Sequence, residues 1–212
     1  MIDPEVAHLY YQENEAAHGF DHVLRVWRLA ERIGREEGAD LEILKAAALL
    51  HDVGRAEELR TGADHAEIGA RKAIEILRGH SREKVNAVAQ AIREHRFRTA
   101  QSPTSLEAKV LFDADKLDSI GAIGIARAYA VAGARGQRLW AKVGEDYVRR
   151  EPTEGQRDMQ ADEHTPVHEF SFKLSCLAER LYTPSGRRLA VERHEFMVQF
   201  FRRLEQEIEG LL

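Results

Sequence analysis

The sequence predicts an all-α protein, and three observations carry that prediction. Apolar residues recur every three to four positions along most of its length. No segment shows the apolar–polar alternation of a half-buried strand. Several periodic segments are also bounded by residues that start or stop helices.

Helices are predicted over 3–16, 21–37, 40–52, 65–78, 82–96, 105–132, 136–150, 167–182 and 187–210. Asp21 opens the second and Gly38 closes it. Asp40 caps the third, with acidic Glu42 in its first turn. That helix carries "ILKAAALL" (43–50), an Ala/Leu-rich run of high helix propensity that should be mostly buried, and Gly54 follows as a stop. Asp64 precedes "HAEIGARKAIEIL", and "RGHS" links that helix to "REKVNAVAQAIREH". Segment 151–166 is polar and aperiodic, so it reads as a surface loop or a lid over a site. With no internal repeat, residues 1–212 read as a single domain: a core over about 18–130 and C-terminal helices over about 167–210.

Composition narrows the function classes. A chain of 212 residues can build one sizeable core. It lacks the run of about 18 apolar residues that a membrane span needs. Its beginning does not show the basic-then-apolar layout of a secretory signal. One cysteine, Cys176, cannot form an internal disulfide, and a cytoplasmic location is expected. A net charge of −5 argues against a nucleic-acid groove as the main feature.

The ten histidines matter through their placement. "LLHDVGR" ends the buried third helix with an imidazole and a carboxylate side by side. A buried carboxylate is costly without a partner. From His22 to Glu37 the chain rises about 22 Å, and from Asp40 to Asp52 it returns about 18 Å. The short link between them favours antiparallel neighbours, which brings His22 beside His51 and Asp52. His65 begins its helix and His95 ends the following antiparallel one, so they share an end of the bundle. The short 54–64 connection keeps that end near the first. His18 reads as a loop residue, and His164 and His168 as exposed or capping.

The remaining element, "LFDADKLDSIGAIGIAR" (111–127), sets Asp113, Asp115 and Asp118 in an otherwise apolar helix. Asp115 and Asp118 lie on neighbouring faces, whereas Asp113 points away from Asp115. A buried aspartate there needs a cation or hydrogen-bond donors.

His22, then His51-Asp52, then Asp115 resembles the H…HD…D signature of the HD-domain metal-dependent phosphohydrolases. The stretch "HEFSFKLSCLAERLYTPSGRRLAVERHEFMVQFF" (168–201) is similar to the C-terminal region of a bacterial uncharacterised branch of that superfamily. The resemblance implies a helical HD bundle with a divalent metal bound by His22, His51, Asp52 and Asp115. Asp118 is then a hydrogen-bond acceptor or salt-bridge partner behind the ligands. A mixed nitrogen and oxygen donor set suits Mn²⁺ first, with Fe²⁺, Co²⁺, Ni²⁺ or Zn²⁺ alternatives and Mg²⁺ less comfortable.

The implied reaction is hydrolysis of a phosphoester or phosphoanhydride, a nucleotide being the usual substrate, by a metal-activated water. Asp52 can bind metal and orient the nucleophile, and Glu57 and Glu58, on the loop after His51-Asp52, are candidate acid/base residues. Arg55, Lys116, His65 and His95 are candidate substrate contacts, Arg55 because a guanidinium fork suits phosphate oxygens. Two alternatives stand beside this reading. Some HD-domain proteins are di-iron oxygenases, which would recruit His65 and His95 as extra ligands. A non-catalytic module sensing a nucleotide or metal is the other.

Overall fold

A computed structural model describes residues 1–11, 19–96, 102–144 and 164–212 of the chain. Among the described residues all regular structure is helical. The helices are α1 (Pro4–His8), α2 (Phe20–Glu37), α3 (Leu41–Leu50), α4 (Arg55–Thr61), α5 (His65–Ile76), α6 (Arg82–Glu94), α7 (Leu106–Leu117), α8 (Gly121–Ala134), α9 (Pro166–Phe172) and α10 (Pro184–Ile208). A 3₁₀ segment, Leu174–Arg180, follows α9. None of these helices is long and apolar enough to cross a membrane.

The capping chemistry is largely as the sequence dictates. Gly38 ends α2 in the left-handed conformation, φ 79°, with its N–H on the Gly34 carbonyl. The Asp40 carboxylate accepts from the Glu42 and Ile43 backbone N–H groups at 2.9 and 3.2 Å. Asp64 accepts from Ala66 N–H at 2.8 Å to start α5. The first helical residue of α2 is Phe20, however, after an N-cap at Gly19 rather than Asp21.

Backbone contacts separate the chain into two compact units: Met1–Lys116 with Leu181–Gly186, and Leu117–Arg180 with Arg187–Leu212. In the first, α2 packs on α3, α3 on α6, and α6 on α5, with α4 against α5. Helix α3 is central. Ala46 through Leu50 are all buried, so its second half has no solvent face, while Leu41 and Glu42 at its start are exposed. Each of Leu44, Leu49 and Leu50 contributes about 2 kcal/mol through the surface it removes from water. In the second unit α9 packs on α8, and Phe170 stacks on Phe201 with ring centres 4.4 Å apart.

Five elements differ from the sequence reading. Residues 54–64 are more than a connection, because α4 forms over seven of them; it buries no residue and leaves no apolar period to read. The single helix expected over 105–132 divides after Leu117, where Gly121 takes φ 77° and the Arg193 guanidinium caps the Leu117 carbonyl. The helix expected over 167–182 divides at Lys173, whose φ of −122° leaves the helical region. Residues 137–144 of the expected 136–150 helix are not helical, and its remainder lies outside the described residues. At the N-terminus α1 stops at His8, with 12–16 also outside. The proposed lid lies outside them as far as residue 163.

Candidate metal centre

Five helix ends within the first unit supply one cluster. His22 sits in the first turn of α2, His51 is the C-cap of α3 with Asp52 next to it, and His65 begins α5. His95 is the C-cap of α6, and Asp115 lies in the last turn of α7. His22, His51, His65 and His95 are all buried, as is Asp52. Gly54 lets α5 come this close: a Cβ there would collide with the His65 carbonyl and lie 2.9 Å from Gly69 N.

Asp52 is the centre of the arrangement. Its Oδ2 lies 3.8 Å from His22 Nε2 and 3.6 Å from His51 Nε2. Its Oδ1 lies 3.6 Å from His65 Nε2 and 3.9 Å from His95 Nε2. Asp115 joins through His22, at 3.4 Å from Oδ1 to Nε2. The donors of His22, His51 and Asp52 all fall within 4.8 Å of one another, and so do those of Asp52, His65 and His95. One carboxylate therefore serves two candidate three-residue sites.

The far side of two rings is fixed by hydrogen bonds, and that of a third stands beside a carboxylate. His51 Nδ1 donates to Ala48 O at 2.8 Å, and His95 Nδ1 to Ile92 O at 2.5 Å. His65 Nδ1 lies 2.9 Å from Glu58 Oε2 without the geometry of a hydrogen bond. Outward anchoring through Nδ1 leaves the Nε2 lone pairs aimed inward, as metal-ligating imidazoles are held. His51 Nε2 is buried with no hydrogen-bond partner. A buried lone pair beside an anionic oxygen fits a cation.

Electrostatics set matching protonation states. Burial pushes the His95 imidazole down to about 3, with His51 and His65 reinforcing the shift against Asp115 and Asp52. Burial likewise lowers His51, outweighing the pull of Asp52 and Asp115. For Asp52, burial acts upward, but His51, Arg55, His22 and His95 together hold the carboxyl far below its usual range. Asp115 is also held well below that range, with Lys116 and His22 overcoming its burial. Neutral imidazoles and ionised carboxylates are the forms that bind metal.

Comparison with known proteins gives this geometry a family. The HD domain model matches residues 19–120. The uncharacterised protein YpgQ of Bacillus subtilis is 35% identical over 205 residues, covering 94% of this chain and 88% of that one. The chain belongs to the HD-domain family. The crystal structure of YpgQ in complex with ADP superposes with a TM-score of 0.73 at 32% identity, covering 99% of this chain and all of that one. An HD-superfamily hydrolase from Bacillus thuringiensis gives 0.72 at 28% identity, covering 97% and 94%. Ribonuclease Y of Chloroflexus aurantiacus is 34% identical over 109 residues, which are half of this chain and a fifth of that one.

Within this HD fold the structure brings His22, His51, Asp52 and Asp115 together, with His65 and His95 beside them. Arg55 Nε donates to Asp52 Oδ2 at 3.1 Å, and Lys116 Nζ to Asp115 Oδ2 at 2.6 Å. The two glutamates separate. They stand in the first turn of α4, not on a loop, and Glu57 pairs with Lys72 at 3.1 Å instead of entering the cluster. Glu58 faces His65 and is braced by Arg96 at 3.3 Å. Arg96, which also pairs with Asp64, was not singled out in the sequence, although it directly follows His95. Asp118 forms a salt bridge with Arg127 at 2.8 Å, while Asp113 bonds elsewhere. His164 and His168, expected to be exposed or capping, are buried: His164 Nε2 lies 3.4 Å from Glu169, and His168 Nδ1 2.8 Å from Thr165 Oγ1. His18 lies outside the described residues.

Proposed function

We propose that this protein is a metal-dependent phosphohydrolase acting on a small nucleotide, with Mn²⁺ as its preferred ion. The single observation that carries the metal reading is Asp52, an ionised carboxylate in the protein interior with an imidazole nitrogen facing each side of both oxygens. His22, His51, Asp52 and Asp115 would hold the ion. When bound, it supplies Lewis acidity toward a phosphoryl oxygen and an acidified water at neutral pH. Nucleotide preference is supported by the ADP bound to the related YpgQ.

The chain's own groups account for the remaining requirements. Arg55, only partly exposed and permanently charged, stands at the rim of the cluster where it can offset charge on phosphate oxygens. Lys116 holds the second oxygen of Asp115 and adds a second positive charge on that side. Glu58 orients His65, and of the two glutamates it is the one placed to move a proton near the cluster.

The Asp52–His65–His95 group favours a second reading, in which two ions are held and the HD fold serves a di-iron oxygenase. Metal analysis with a substrate panel separates the readings. We expect Mn²⁺-dependent release of phosphate or pyrophosphate from nucleotides. His51→Ala and Asp115→Ala should abolish both metal uptake and turnover while keeping helical circular dichroism. Full metal binding in either variant refutes the assignment. Two irons per chain without hydrolysis would establish the second reading, and no turnover of any phosphate ester would leave a sensing module.

A further inference from the structure

Helix α7 carries two aspartates two positions apart, and only one of them faces the cluster. Two residues turn a helix by about 200°, so the two side chains leave its opposite sides. Asp115 meets His22. Asp113 is fully buried on the other side and meets a segment about seventy positions downstream in the sequence, just before and within the start of α10. Tyr182 N–H donates to its Oδ1 at 2.8 Å, Thr183 N–H to its Oδ2 at 2.7 Å, and the Thr183 hydroxyl to the same oxygen at 2.6 Å.

That segment is itself anchored. Gly186 N–H donates to Thr183 Oγ1 at 3.0 Å, and Ser185 N–H to Glu37 Oε1 at 2.7 Å. No side chain fits at Gly186, because a Cβ there would lie 2.5 Å from Asp113 Oδ2 and 2.8 Å from Thr183 Oγ1. A buried carboxylate held by three donors is costly to displace. It therefore fixes the rotation of α7 about its own axis.

We infer that Asp113 is a positioning residue for the metal centre, with Thr183 and Gly186 forming the latch through which residues 182–186 set the aim of Asp115. The latch bonds the side of α7 opposite Asp115, so its effect on binding passes through α7. This inference rests on the metal reading above.

Calorimetric titration of the metal-free full-length chain with Mn²⁺, together with its metal-free melting temperature, tests it. Asp113→Asn puts an amide NH₂ where an acceptor is needed and should weaken Mn²⁺ binding about tenfold, the lower end of what outer partners of metal ligands contribute. Thr183→Val should weaken it in the same direction, and Thr183→Ser should restore it. Leu77→Ala, a core truncation at the end of α5 opposite His65, should lower the melting temperature and leave Mn²⁺ affinity within about twofold of wild type. If Asp113→Asn does not fold, the Thr183 pair carries the comparison. Unchanged Mn²⁺ affinity in the folded latch variants, with melting lowered as in Leu77→Ala, overturns the inference alone. A wild-type chain that takes up no Mn²⁺ overturns the metal reading and the inference with it.

Discussion

Stripped of metal, the protein should be sensitive to mild acid, and His95 should be a principal cause. Its buried imidazole is held down to about 3, whereas a histidine in the unfolded chain titrates near 6.5. Between those values the unfolded state binds a proton that the folded state refuses. Stability is therefore intact above about pH 6.5, falls as the pH drops through that value, and stops falling on this account below about pH 3. One such proton is worth about 1.4 kcal/mol per pH unit once the unfolded histidine is protonated, so acidifying from about pH 6.5 to 4.5 should cost about 2 kcal/mol through His95. His51 is lowered as well and acts in the same direction. Asp52 and Asp115 are also depressed, but their unfolded counterparts titrate near 3.9, so their contribution disappears only below that window. The assay is urea unfolding of chelator-treated protein across the window, for wild type and His95→Gln. The variant should lose about one proton's worth of the pH slope. Equal slopes would show that His95 is not held neutral by its surroundings.

Two further changes probe the site from different sides. Glu58→Gln should reduce kcat by about tenfold through its place beside His65, whereas Glu57→Gln, whose carboxylate pairs with Lys72, should leave steady-state rates unchanged. Equal losses would return Glu57 to the site. Gly54→Ala should destabilise the metal-free protein by about 1–3 kcal/mol, because the new methyl group meets the His65 carbonyl; an unchanged melting temperature would refute that packing.

The sequence revealed those parts of the molecule in which periodicity and chemistry point the same way. The run from Ile43 to Leu50 had to be a buried helix, and Asp40 and Asp64 announced their helix starts, so the ends carrying His22, His51, His65 and His95 could be brought together from helix lengths alone. Features decided by a neighbour in space stayed hidden. Helix α4 buries nothing, so only its contact with α5 explains why residues 55–61 are ordered as a helix. The break after Leu117 depends on Gly121 and on Arg193 reaching the Leu117 carbonyl. The division of labour between Asp113 and Asp115 depends on donors at residues 182 and 183, distant in sequence. Choosing Glu58 over Glu57 required knowing which side of α4 faces His65.

Building the site from helix ends explains how so many polar groups are buried together at little structural cost. The last four carbonyls of a helix have no partner within it. His51 and His95, each at a helix C-cap, use Nδ1 to satisfy one of those carbonyls, Ala48 O and Ile92 O. The same bond fixes the ring tautomer and turns Nε2 toward Asp52. A single hydrogen bond thus caps a helix carbonyl and aims an Nε2 lone pair at Asp52, with no separate residue needed for either task. The C-terminal ends of α3, α6 and α7 each bring about half a unit of negative charge to the cluster, and the N-terminal ends of α2 and α5 about half a unit of positive charge each. The dipoles largely offset one another, so the ionised Asp52 and Asp115 set the sign of the field, which favours a cation. Under the proposed function, an anionic substrate would be drawn in by that cation and by Arg55 and Lys116 at its edge, because the two carboxylates alone would repel it.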